Sequence, residues 1–284
     1  MKTQNNFSRF AWHTAFAGLC LVAVHGAHGQ VSSINSAIVN PGVFNDTPGA
    51  TRSDFNGYPG AVLLAESHVS KPAAGGLNRD TWNFSNNGGA SAYSFQNNDY
   101  FNASYNLTLT GSGTAGIDLE AGWLFSNPSG TFGGDLQSIV SANGTVAQFG
   151  GPSYYPFSPA AGGYPGAGGS VPNYALGETY VLGLNYVVDP TTGNNAFQYS
   201  VNGVFAASSP GDTYFDLGAG VGIGGLGNVL GGYLQIGNDP NNANNNGQAY
   251  FSSISITPVG APEPTTLALV GFGALGWLLR RRRN

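Results

Sequence analysis

From residue 104 to 110 the chain alternates polar and apolar side chains. Tyr105, Leu107 and Leu109 fall on one side of an extended segment, and Ser104, Asn106, Thr108 and Thr110 on the other. A period of two is that of a strand with one face in a core. The same period places Ile117, Leu119, Ala121, Trp123 and Phe125 opposite Gly116, Asp118, Glu120 and Gly122. It also aligns Tyr180, Leu182, Leu184, Tyr186 and Val188 on one side. Two further apolar runs, 197–201 and 204–206, flank Asn202-Gly203. That dipeptide suits a type I′ hairpin turn, in which both central residues take positive φ. With the polar connection 189–195 before it, the spacing predicts a three-strand meander over about 179–208. A closing strand over 250–257 is expected to carry Tyr250, Ile254 and Ile256 on one face.

No sustained 3.6-residue pattern interrupts this scheme away from the termini, and Gly and Asn clusters punctuate nearly every apolar run. Many strands separated by turns predict an all-β fold, a β-sandwich or jelly roll, with helix a minor component. The roughly 230 residues of 30–260 suit one such domain. Segment 150–173 is too rich in Gly and Pro for a regular element and too aromatic for a plain linker. Segment 239–247 has the composition of a turn-forming loop. The strand pattern over 116–208 and the closing strand are similar to concanavalin A-like lectin and glucanase sandwiches. That resemblance implies a fold, with strand order left open.

The ends change the picture from fold to destination. Residues 1–29 combine Lys2 and Arg9, an apolar run over 15–24, and Ala27-His28-Gly29. This is the plan of a secretory signal peptide, with cleavage between Gly29 and Gln30 by signal peptidase after delivery to the general secretion machinery. The only cysteine, Cys20, lies in the apolar run, and Leu19 before it is too large for a lipid-attachment site. The exported chain therefore has no thiol, and its stability rests on burial and hydrogen bonding without disulfides.

The other end reads Pro262-Glu263-Pro264, then fifteen uncharged residues over 265–279, then Arg280, Arg281, Arg282 and Arg283. At ~1.5 Å per residue a helix of that length covers about 22 Å. That is short of a ~30 Å hydrocarbon core. Such a helix spans marginally, and the arginines should stay on the cytoplasmic side. A temporary stop and a permanent anchor are both compatible with this physics. The arrangement resembles the PEP-CTERM sorting signal of Gram-negative bacteria. The resemblance implies recognition by an exosortase, a transient inner-membrane intermediate, and cutting near Pro262 to Pro264. Tails of this kind also go by the name of an ice-binding protein C-terminal domain, a label that says nothing about ice here. The expected organisation is a signal peptide over 1–29, a β-sandwich domain over 30–260 and a sorting signal over 261–284.

Charge narrows the partners. Between the two terminal signals stand three basic and thirteen acidic side chains, a formal charge of −10. Nucleic acid is excluded as a partner for so acidic a body. Asp118 and Glu120, two apart on a strand, project from one face and superficially echo half of a glucanase carboxylate motif. Gly116 stands where the first glutamate would be, so the two-carboxylate retaining mechanism lacks its nucleophile. A solvated polar face is the expected role. Tyr154, Tyr155, Phe157 and Tyr164 could present rings to sugar faces or fold down over the sandwich. Asp239, Asn241 and Asn244 offer oxygens without a calcium-loop spacing. His68, the only histidine beyond the leader, has no Gly-x-Ser-x-Gly partner motif. No catalytic residue, metal or cofactor is expected. The expected function is a surface or extracellular-matrix protein, structural or adhesive, associated with exopolysaccharide. The alternatives are a lectin-like module using the 154–164 aromatics and a glycoside hydrolase using Asp118 and Glu120.

Overall fold

The computed structural model describes residues 30–45, 49–67, 77–112, 119–126, 136–149, 155–161, 171–206, 212–223, 228–237 and 245–260. Among these residues the strands are β1 (Ser36–Asn45), β2 (Thr51–Arg52), β3 (Phe55–Gly57), β4 (Ala61–Ser67), β5 (Leu77–Ser85), β6 (Phe101–Gly111), β7 (Leu119–Ser126) and β8 (Leu136–Ser141). They continue as β9 (Val146–Phe149), β10 (Tyr155–Pro156), β11 (Thr179–Val188), β12 (Asn195–Val201), β13 (Val204–Phe205), β14 (Phe215–Asp216), β15 (Val229–Gly237) and β16 (Asn246–Pro258). The only helical pieces among the described residues are 3-10 turns, Gln30–Ser33 and Pro159–Ala161.

Two antiparallel sheets form a sandwich. One runs β1-β5-β15-β7-β8-β9-β10, and the other β13-β12-β11-β6-β16-β4-β2, with β14 beside β12 and β3 beside β4. The all-β sandwich expected from the alternation is the observed architecture. Strand β6 buries Tyr105, Leu107 and Leu109 and turns Ser104, Asn106 and Thr108 outward. Strand β11 likewise buries Tyr180, Leu182, Leu184 and Tyr186. The meander is present as β11-β12-β13, and Asn202 and Gly203 have φ of 51° and 79°. Positive φ at both positions is what the Asn-Gly dipeptide supplies.

Four large rings join the sheets. Trp82 of β5 stands edge-on to Phe251 of β16 at 5.7 Å and to Tyr105 of β6 at 6.1 Å. Tyr105 also meets Trp123 of β7 at 4.0 Å. Edge-to-face contacts at these separations add to the area buried. Val31, next to the expected cleavage point, is 2% exposed and already belongs to this core.

Strand β16 departs from the expected pattern. Its pairing with β6 slips between Ser252 and Ser255, where Ser253 has φ of 52°. The bulge moves the buried set from Ala249 and Phe251 to Ile254, so Tyr250 faces solvent while Ile254 is buried. An inserted residue reverses the alternation, so Tyr250 does not share a face with Ile254 and Ile256.

Candidate functional site

Strands β5, β7 and β15 are buried on both faces. Their core side carries Trp82, Phe84, Trp123, Phe125, Leu230 and Leu234. Their other side sets polar groups beside Leu124, Val229 and Tyr233. Register places Arg79, Gln235 and Glu120 directly opposite one another across β5, β15 and β7, with Ser141 of β8 beyond. Arg79 donates from Nε and Nη2 to Gln235 Oε1 at 2.9 and 2.6 Å. Gln235 Nε2 donates in turn to Glu120 Oε1 at 2.9 Å, and the Tyr233 hydroxyl donates to the same oxygen at 3.2 Å. The Arg79 guanidinium lies 5.1 Å from the centre of the Tyr233 ring. Burial, together with the Glu120 charge, pushes the Tyr233 hydroxyl well above its ordinary range.

This row corrects the expectation for Glu120. It is 9% exposed, not part of a solvated face, and one of its oxygens accepts two hydrogen bonds. Both bonds fix that oxygen in place between Tyr233 and Gln235. Asp118, its expected companion, lies outside the described residues. So do Tyr154, Tyr164, His68, Asp239, Asn241, Asn244, Gly29 and the segment carrying Pro262, Glu263, Pro264 and Arg280 to Arg283. Gln30 opens the first 3-10 turn.

Of the aromatic candidates, Tyr155 and Phe157 are described. Tyr155 sits in β10 and packs edge-on to Phe215 at 4.2 Å, half-buried against the core. Phe157 is 4% exposed and belongs to the core itself. Its ring offers no free face to a sugar, so Phe157 is withdrawn as a glycan contact. Within 150–173 the described residues hold β10 and the turn Pro159–Ala161.

A second polar cluster lies between the sheets and has no counterpart in the sequence reading. Arg52 Nε lies 3.0 Å from Glu66 Oε1 and 2.9 Å from Asp80 Oδ1. Asn78 Nδ2 donates to Glu66 Oε1 at 3.2 Å. Burial first, then the nearby Asp80 charge, raises Glu66 to about 7 against the pull of Arg52. Among the described residues no group of three His, Cys, Asp or Glu side chains is placed to hold a metal ion. The sequence signal for this cluster is faint: Arg52, Glu66 and Asp80 lie on three different strands, and only the fold brings them together.

The tail gives the deciding comparison. Residues 261–283 match the PEP-CTERM protein-sorting motif. The motif marks an exported protein sorted to the cell surface of a Gram-negative bacterium and processed by an exosortase. No curated protein matches the chain. Among solved structures, the alginate lyase AlgAT5 of polysaccharide lyase family 7 is similar at 11% identity and a TM-score of 0.41, over 72% of this chain and 81% of that one. The carbohydrate recognition domain of Emp47p is similar at 10% and 0.35, over 75% and 94%. The carbohydrate-binding module CBM66 from Bacillus subtilis is similar at 10% and 0.34, over 78% and 96%. At these scores the likeness carries no inference about activity or ligand. Among the described residues no helix is long and apolar enough to cross a membrane.

Proposed function

We propose that the chain is a non-enzymatic matrix protein whose β-sandwich, residues 30–260, is delivered to the cell surface and there plays a structural or adhesive part in association with extracellular polysaccharide. The observation that carries this reading is the sorting motif at 261–283. The leader enters the general secretion machinery and signal peptidase cuts between Gly29 and Gln30. Export continues until residues 265–279 reach the inner membrane. Arg280 to Arg283 resist translocation, since lysine and arginine beside a span are retained on the cytoplasmic side. Exosortase then cuts near Pro262 to Pro264, and the acidic body is passed outward. The chemistry of that cut belongs to the exosortase.

Neither alternative gains support. The hydrolase reading needs two carboxylates flanking a sugar bond, and Glu120 is engaged with Tyr233 and Gln235. The lectin reading through the 154–164 aromatics loses Phe157 to the core. The test is fractionation of the full chain and of a version lacking 261–284 in wild-type and exosortase-deficient hosts, with intact-mass measurement of the surface fraction. Surface protein trimmed near residue 262, lost in the deletion and in the deficient host, is the expected result. Equal surface delivery of the deletion would overturn the proposal.

A further inference from the structure

Six large hydrophobic side chains are exposed among the described residues, and four of them, Phe55, Val181, Phe205 and Tyr250, lie on one surface. That surface is the outer face of the nine-stranded sheet. Register shows why they gather there. Phe55 of β3 is opposite Leu63 of β4, Leu63 is opposite Tyr250 of β16, Tyr250 is opposite Thr108 of β6, and Thr108 is opposite Thr179 of β11. Paired residues in an antiparallel sheet point to the same side, so these five form one row across five strands. Val181 sits in the next row opposite Asn106, and Phe205 ends another opposite Ser200.

Three features separate this surface from an ordinary solvated face. First, the positions directed outward from β3, β4, β16, β6 and β11 include no Asp, Glu, Lys or Arg, the polar ones being Ser, Thr, Asn and Gln, and the outward charge on neighbouring β14, Asp216, is an anion. Second, part of its hydroxyl and amide surface is held in side-chain pairs that leave further donor and acceptor capacity. Thr108 and Thr179 share a hydrogen bond at 2.7 Å, and Gln198 Nε2 donates to Thr213 Oγ1 at 2.8 Å. Third, the Phe55 ring is held down. Its Cε1 and Cζ lie 2.7 and 2.8 Å from the place where a Gly57 Cβ would be, so the missing side chain is what lets the ring rest on its own strand. The ring nevertheless remains 58% exposed, and Tyr250 is 45% exposed. Phe55 and Tyr250 stand two strand spacings apart, about 10 Å, comparable to a disaccharide unit of an extended glycan.

We propose that the outer face of the nine-stranded sheet, centred on Phe55 and Tyr250, binds an uncharged polysaccharide chain. The C–H faces of sugar rings would lie on the two aromatic rings, and the glycan hydroxyls would meet the Ser, Thr, Asn and Gln rows. A body with formal charge −10 and a cation-free face repels a polyanionic glycan and leaves a neutral one unopposed. The same rows disfavour a second copy of the chain, because burying them against themselves would leave hydroxyls and amides without partners. The inference deepens the matrix reading by giving the polysaccharide a place and a charge class.

The test uses the purified full chain in mild detergent, with cellulose, xylan and a β-1,3-glucan as uncharged probes and alginate as the polyanion. Retention on at least one uncharged glycan and none on alginate is expected. Loss of both rings in Phe55→Ala/Tyr250→Ala should weaken retention about tenfold. Gly57→Ala, which keeps both rings but displaces one, should weaken it by a smaller factor. Unchanged circular dichroism and thermal midpoint would show that the variants still fold, as expected for exposed side chains. Absence of retention on every uncharged glycan, retention on alginate alone, or a double variant retained like the wild type would overturn the proposal. A wild-type dimer that Tyr250→Ala dissolves, without glycan binding, would do the same. A chain that binds glucan but is never sorted counts against the sorting reading alone, and a sorted chain that ignores glucan counts against this surface alone.

Discussion

Glu66 shows how much one side chain can impose on a fold with few charges. It shares the Arg52 guanidinium with Asp80 inside the sandwich, and Asp54 adds a third carboxylate nearby. Burial first, and then a single cation set against three carboxylates, makes full ionisation costly there. Glu66 accordingly keeps its proton up to about 7, against 4.5 for a free glutamate. Below 4.5 the side chain is protonated folded or unfolded. Between 4.5 and 7 the folded state holds a proton that the unfolded state releases, so its stabilising contribution falls as pH rises and is lost above 7. Asp54, raised by its own burial, adds a slope of the same sign. The urea midpoint should therefore decline from pH 5 to pH 7.5. Glu66→Gln should flatten that decline and be at least as stable as the wild type at pH 8. A variant with the wild-type slope would show that Glu66 is not the group responsible.

At the scale of elements, legibility follows solvent contact. Strands β6 and β11 meet water on one face, so their side chains alternate and the sequence announces them. The β12-β13 hairpin is equally plain because Asn202-Gly203 names its turn. Strands β5 and β15 are buried on both sides, which erases alternation, and Gly231-Gly232 in mid-strand imitates a turn signal. Glu120 could be singled out locally. Its row partners Arg79 and Gln235 could not, since cross-strand pairing joins residues far apart in the chain. The bulge at Ser253 likewise follows from the strand's neighbours more than from its own composition. Gly232 illustrates the hidden constraint: a Cβ there would run into Trp82 Nε1 and the Phe251 ring. Gly232→Ala should cost about 1–3 kcal/mol through overpacking of this junction between the sheets, measured by urea denaturation. A change below 0.5 kcal/mol would mean that the rings give way freely.

The molecule as a whole separates two kinds of information: a body that carries few basic residues and a tail with four of them in a row, Arg280 to Arg283. Among the described residues, stability comes from an aromatic core in which Trp82, Tyr105, Trp123 and Phe251 bridge the sheets, with no thiol available after the leader. Arg280 to Arg283 lie outside the described residues, and their effect should be on routing and not on folding. Replacing all four by Ser keeps the Pro262-Glu263-Pro264 stretch and the apolar segment while removing the charge that opposes translocation. As a helix, fifteen uncharged residues would reach only about 22 Å, so the remaining stop should be too weak to hold a chain at a ~30 Å hydrocarbon core. In an exosortase-deficient host the wild-type chain should accumulate with the inner membrane, open to protease on the cytoplasmic side only at its last residues. The four-serine variant should instead appear as untrimmed soluble protein beyond that membrane, with the thermal midpoint of its β-sandwich unchanged. Retention of the variant at the wild-type level would show that the apolar segment alone arrests export and that the arginines serve another step, such as recognition by the exosortase.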